Sequence, residues 1–193
     1  MGKVVVVTGI PGTGKTTVCI ELLKLAEQFK RKVAVINYGS VMVELSKKGE
    51  KSLPRDELRR SELSLQRDLQ AEAAKRISQK IVAFEADAIV DTHMSIKTKD
   101  GYWAGLPIHV LQLLKPDAFV LVEAEPHEVL FRRLKDVTRR RDKVLESEIA
   151  EELLFSRFMA AACSTLTGAP VKIVKNPNGK QLEAAKEILK LLG

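Results

Sequence analysis

Gly9-Ile10-Pro11-Gly12-Thr13-Gly14-Lys15-Thr16 fits G-x-x-x-x-G-K-[ST] without a mismatch. The spacing suits one chemistry, the grip on a chain of phosphates. Glycines let the backbone wrap an anion so that successive N–H groups point inward. A helix opening near Lys15 adds its positive end. Lys15 places an ammonium on the β and γ phosphates of a nucleotide, and Thr16 offers a hydroxyl to Mg²⁺. A second signal is Ile89-Val90-Asp91, an apolar run ending in a carboxylate. At the carboxyl edge of a sheet, beside the cradle, Asp91 can hold Mg²⁺ directly or through water.

Arginines are the third signal. Arg55, Arg59 and Arg60 stand in one segment, Arg132, Arg133, Arg139, Arg140 and Arg141 in another, and Arg157 follows. Arginine forks match phosphate oxygens in pairs. Residues 132–143 hold seven basic and two acidic side chains, so much of the +7 net charge sits in one short stretch. Phosphoryl transfer is mainly positioning plus charge neutralisation. An acceptor that is already a phosphate needs cations and no general base. The residues therefore favour a nucleoside monophosphate as acceptor. A hydroxyl acceptor stays open, with Asp91 or Asp56 as base. So does an ATP-dependent switch that binds nucleic acid, although only nine aromatics are present and none interleaves with the basic cluster.

The elements that must position these residues alternate. Strands are predicted at residues 3–8, 32–37, 88–92, 118–123 and 171–174, and helices at 16–30, 40–48, 54–60, 61–84, 107–114, 126–134, 147–166 and 181–192. Leu65, Leu69, Ala73, Ile77 and Ile81 recur every four residues and predict the buried stripe of the long helix. Residues 93–105, with two glycines, read as a loop. Apolar strands alternating with helices predict an α/β fold, a parallel sheet covered on both faces. Two insertions are expected, about 38–85 and about 135–145.

Composition bounds the rest. At 193 residues, 45% apolar and 30% charged, the chain is one ordinary globular domain. No apolar run approaches the roughly 18 residues of a spanning helix. A soluble, intracellular protein is expected. Cys19 and Cys163 form no CxxC pair, and both read as buried reduced thiols. His109 and His127 read as structural.

Several segments together carry a resemblance: GIPGTGKTT at Gly9–Thr17, INYGSVM at Ile36–Met42, RDELRR at Arg55–Arg60, VDTHMSIKT at Val90–Thr98, GYWAGLP at Gly101–Pro107 and DVTRRRD at Asp136–Asp142. In this order they resemble the archaeal-type adenylate kinases over essentially the whole chain. The resemblance implies a P-loop kinase fold with a five-stranded parallel core, a monophosphate-binding insertion and a short lid. It implies the reversible reaction of Mg·ATP with AMP to give two ADP, in the cytoplasm, often by a homotrimer. It places Gly9, Ile10, Pro11, Gly12, Thr13, Gly14, Lys15, Thr16 and Thr17 on the ATP phosphates, with Arg133 beside them. It places Ser40, Arg59, His93, Lys97 and Arg157 at the AMP site. Lys15, Arg139 and Arg141 would be catalytic, and Thr16 and Asp91 would serve the metal. One departure stands out, Trp103-Ala104 where the family carries Leu-Pro; Trp103 is expected to pack.

Overall fold

The computed structural model describes residues 2–47, 62–98, 101–135 and 145–192. Five parallel strands form the core: β1 (Val4–Thr8), β2 (Val33–Asn37), β3 (Asp87–Asp91), β6 (Ala118–Glu123) and β7 (Val171–Lys175). Their order across the sheet is β2-β3-β1-β6-β7. Chain connections leave β1 for one side and β3 for the other, so the crevice beyond the carboxyl ends of these strands is the topological switch point. Register places Val7 beside Asp91 and Asn37 beside Asp91, so three strand ends finish level.

The period of two along β1 sorts its side chains to opposite faces. Val4 and Val6 pack with helices α2 (Tyr38–Ser46), α3 (Leu63–Phe84), α4 (Ile108–Leu114) and α6 (Glu146–Thr167). Val5 and Val7 pack with α1 (Lys15–Gln28) and α7 (Gln181–Leu189). Cys163 belongs to the first cluster and Cys19 to the second, both buried and unpaired as disulfides. A third, smaller cluster joins Ile10 of the glycine-rich loop to Ala124, to Val129 of α5 (Pro126–Lys135) and to Ile149 and Leu153 of α6. Among the described residues no helix is long and apolar enough to cross a membrane.

Two sequence expectations change. Residues 93–105 are not a plain loop: β4 (Ser95–Thr98) and β5 (Gly101–Ala104) form an antiparallel hairpin, with Ile96 opposite Trp103 and Lys97 opposite Tyr102. Strands of four residues are too short for alternation to announce them. The stripe on α3 also shifts. Leu65 is 38% exposed, while Gln66 and Gln70 are 6% and 3% exposed. A step of four overshoots a 3.6-residue turn by about 40°, so a four-residue repeat drifts off the core face within a few turns. The face that stays inside runs Gln66, Gln70, Ala73, Ala74, Ile77 and Ile81. The short helix expected at 54–60, with Arg55, Asp56, Arg59 and Arg60, lies outside the described residues, as do Arg139, Arg140 and Arg141.

Candidate active site

The loop after β1 begins at Gly9 and enters α1 at Gly14. Gly9 has φ +148°, and a Cβ there would lie 2.4 Å from the Val122 carbonyl oxygen. Gly14 has φ +86°, and a Cβ there would lie 2.5 Å from Asn176 Nδ2. Both positions therefore demand glycine, for conformation and for space. No side chain caps the start of α1, which leaves that helix end as a place for an anion.

The loop's carbonyls are held from the protein side. Lys15 Nζ donates to Gly9 O at 2.6 Å. Thr13 Oγ1 donates to Ile10 O at 3.0 Å. Arg133 Nε donates to Pro11 O at 2.8 Å. Arg132 Nη1 reaches Gly12 O at 3.5 Å and Thr13 O at 3.2 Å, and Asn176 Nδ2 donates to Thr13 O at 2.8 Å. Five successive acceptors are thus committed; the Thr13 N–H also turns back to Ile10 O at 3.3 Å, and the helix start that follows offers its N–H groups to a ligand. Arg133 is itself locked by Glu152, with Nη1 and Nη2 at 3.3 and 2.7 Å from the two carboxylate oxygens.

Behind the first turn of α1, the buried Cys19 thiol is pushed up to about 12, first by burial, then by Asp91, with Lys15 opposing. Asp91 stands beside Val7 in the sheet, two residues before the loop begins at Gly9. Asp91 is buried at the end of β3, and Asn37 Nδ2 donates to its Oδ2 at 2.6 Å. Asn37 is also the N-cap of α2: its Oδ1 accepts from Ser40 N at 2.9 Å and from Ser40 Oγ at 3.1 Å. One amide ties the acidic strand end to the first turn of the insertion. Thr16 and Thr17 are exposed at the start of α1.

The remaining expected site residues are distributed around this centre. His93 Nδ1 lies 2.9 Å from Gly9 O and 3.3 Å from Lys15 Nζ. The contact with the carbonyl requires the proton on Nδ1. Lys97, on β4, donates to Glu148 Oε1 at 3.1 Å, which holds its ammonium above the usual lysine range. Glu148 accepts from Leu145 N at 2.9 Å at the start of α6, and its carboxyl sits below the usual range because of that bond and the one from Lys97. Tyr102, opposite Lys97 in the hairpin, stacks on Phe155 of α6 at 4.2 Å between ring centroids. Arg157 holds Glu123 through Nε at 2.7 Å and Nη2 at 2.6 Å.

The structure thus brings Lys15, His93 and Asp91 to the cradle, and links Ser40 to them through Asn37. It brings Lys97 to the helix that follows residues 135–145, and Arg157 to the end of β6. Residue-by-residue reading missed Asn37, Glu123, Glu152 and Asn176. Asn37 carried a signal, an Asn three residues before Ser40 at a helix start. Glu123, Glu152 and Asn176 carried none, since each acts on chain remote in sequence.

Comparison with known proteins agrees with this architecture. A family model described as an AAA domain matches residues 8–150. An adenylate kinase of Methanopyrus kandleri is 44% identical over 190 residues, 98% of this chain and 97% of that protein. One of Pyrococcus furiosus is 41% identical over 193 residues, 100% of this chain and 96% of that protein. A solved shikimate kinase of Bacteroides thetaiotaomicron shares the fold, with TM-score 0.59 and 15% identity over 99% of this chain and 98% of that one. With its glycine loop, Lys15 and strand-end Asp91 set at the switch point of a five-stranded parallel sheet, the chain belongs to the archaeal adenylate kinase family and is a phosphotransferase of the P-loop kinase fold.

Proposed function

We propose that this chain moves the γ-phosphoryl group of Mg·ATP reversibly to AMP, giving two ADP. The observation that carries the reading is the glycine loop, whose carbonyls from Gly9 to Thr13 each accept a side-chain hydrogen bond. With Pro11, Gly12 and Thr13 braced by Arg133, Arg132 and Asn176, the backbone of the loop is set before a phosphate chain arrives, and such preorganisation is what phosphoryl transfer needs. Gly9 to Thr17 bind the ATP phosphates. Lys15 leaves the Gly9 carbonyl for the phosphate oxygens when nucleotide arrives.

Thr16 and Asp91 fit Mg²⁺. Both are hard oxygen donors, Thr16 is exposed, and Asn37 engages Oδ2 of Asp91. Magnesium commonly takes one or two protein oxygens and fills its shell with water and phosphate. When bound it neutralises charge on the β and γ phosphates.

Residues 38–85 form the monophosphate-binding insertion in this reading, and residues 135–145 the lid. Ser40, Arg59, His93, Lys97 and Arg157 serve AMP. Ser40 is supported by its tie to Asp91, and His93 by its place beside Lys15. Arg139 and Arg141 close over the transferring group. The two reduced, buried thiols fit a cytoplasmic setting. Exposed Leu154 and Phe158, one turn apart on α6, support self-association, with a homotrimer as the expected state.

The test is diphosphate formation from Mg·ATP with AMP, CMP, UMP, GMP and dCMP in turn. Rapid ADP formation with AMP alone is the expected result. Transfer to another monophosphate moves the acceptor assignment. ATP turnover with no acceptor, stimulated by RNA, overturns the reading.

A further inference from the structure

Glu123 is the last residue of β6, and its side chain is 1% exposed. Every other residue of that strand is apolar and buried. A carboxylate taken out of water at the end of a central strand is expensive, and an apolar residue of similar size commonly serves stability as well or better. The cations that answer it reach in from the solvent side. Arg157 is 45% exposed and Lys175 is 53% exposed. The fixed member of the pair is therefore the buried carboxylate, and the arginine is the member that it orders.

The geometry of the pair gives another reason for the carboxylate. Arg157 meets it side-on, through Nε and Nη2, and Lys175 Nζ reaches Oε2 at 3.2 Å. A side-on grip uses one edge of the guanidinium plane and turns both N–H groups of Nη1 the other way. Among the described residues Arg157 has no further hydrogen bond. The place is the carboxyl edge of the sheet. Val122 O, one residue before Glu123, lies against Gly9, where the loop begins. Leu153, one turn before Arg157 on α6, packs with Ile10 of the loop. The fork is therefore held one helical turn along α6 from the residue that packs against the loop.

We propose that Glu123 is a positioning residue for phosphoryl transfer: its buried carboxylate fixes the plane of Arg157 so that Nη1 donates to the phosphate oxygens between donor and acceptor. This rests on the reading of Arg157 as a phosphate contact. Glu123 touches no substrate. It removes the rotamer freedom that a half-exposed arginine otherwise keeps, so the cation is in place before the charge develops.

A kinetic cycle with Glu123→Gln, Arg157→Ala and the double variant tests this in the ATP-to-AMP direction. Glu123→Gln is expected to lower kcat about tenfold or more, with the KM for ATP within about twofold of the parent. Arg157→Ala is expected to lose at least as much, and the double variant no more than Arg157→Ala alone, because Glu123 acts only through the arginine. Glu123→Asp, which keeps the charge, should restore part of the loss; a purely structural carboxylate would show in the melting temperature and not in the kcat-to-KM split. Should Glu123→Gln not fold, the same cycle is read on Glu123→Asp. An Arg157→Ala enzyme with parental kcat overturns the reading of Arg157. An impaired Arg157→Ala beside a normal Glu123 variant, or losses that multiply in the double variant, overturns the role of Glu123 alone.

Discussion

Arg133 and Glu152 form a buried two-pronged ion pair, and the same guanidinium donates its third bond to the carbonyl of Pro11. The partners come from α5 and α6, so the pair joins these two helices at the back of the phosphate loop. Removing one member leaves the other charge buried without a partner. Glu152→Gln is expected to cost about 3 kcal/mol of stability. Urea unfolding with an unchanged m-value checks it. A loss under about 0.5 kcal/mol would mean that water reaches Arg133 freely.

Lys15→Met removes the cation that the loop carries to the phosphates. The expected loss in kcat is about 100-fold or more, with the melting temperature kept. Lys15 Nζ reaches Gly9 O and the His93 ring in the fold, and methionine keeps the length of its stem along that path. Near-parental turnover would sink the cradle assignment.

Gly14→Ala meets two obstacles, a backbone at φ +86° and Asn176 Nδ2 at 2.5 Å. Relief requires Asn176 to withdraw from Thr13 O, which frees the carbonyl end of the loop. The expected cost is about 1–3 kcal/mol, with weaker ATP binding. Calorimetric titration with ATP measures the second effect; unchanged affinity would show that the Asn176 bond does not hold the loop.

The Lys97–Glu148 contact docks the β4–β5 hairpin on α6, and Trp103, the chain's single tryptophan, sits in that hairpin. Trp103 emission should therefore respond to AMP, and Lys97→Met should raise the KM for AMP with kcat little changed. The pair also sets a pH window. Glu148 is lowered in the fold, so its contribution is present above the ordinary carboxylate value and lost as pH falls through the lowered one. Lys97 is raised, so its contribution is present below the ordinary lysine value and lost as pH climbs through the raised one. Trp103 emission should be flat between these limits and change beyond each. A change centred near neutrality would point to a different latch.

Arg139→Ala and Arg141→Ala are each expected to lower kcat far more than they raise KM, since contacts to a transferring phosphoryl group tighten in the transition state. Steady-state rates with both substrates varied give the answer. A KM effect alone would assign them to ground-state binding.

The five core strands, most of the helices and the glycine loop were legible in the sequence. Valine runs with their period of two, helix starts and stops, and an eight-residue motif are all local patterns, and local patterns survive without knowledge of the fold. That is why five core strands, Lys15 and Asp91 stood where expected, and why both cysteines were legible as buried thiols. Contacts between remote residues were not legible, because only folding brings them together. Asn176 braces Thr13 across 163 residues, and Glu152 secures Arg133 from the far side of residues 136–144. Glu123 looks from sequence like the polar end of an apolar strand, and only the approach of α6 turns it into the seat of Arg157. The hairpin at Ser95–Ala104 was too short to announce itself, and the buried glutamines of α3 were hidden by a leucine repeat of the wrong period. Side chains that hold a loop from behind owe their identity to chain that arrives there by folding, and no spacing along the sequence records that arrival.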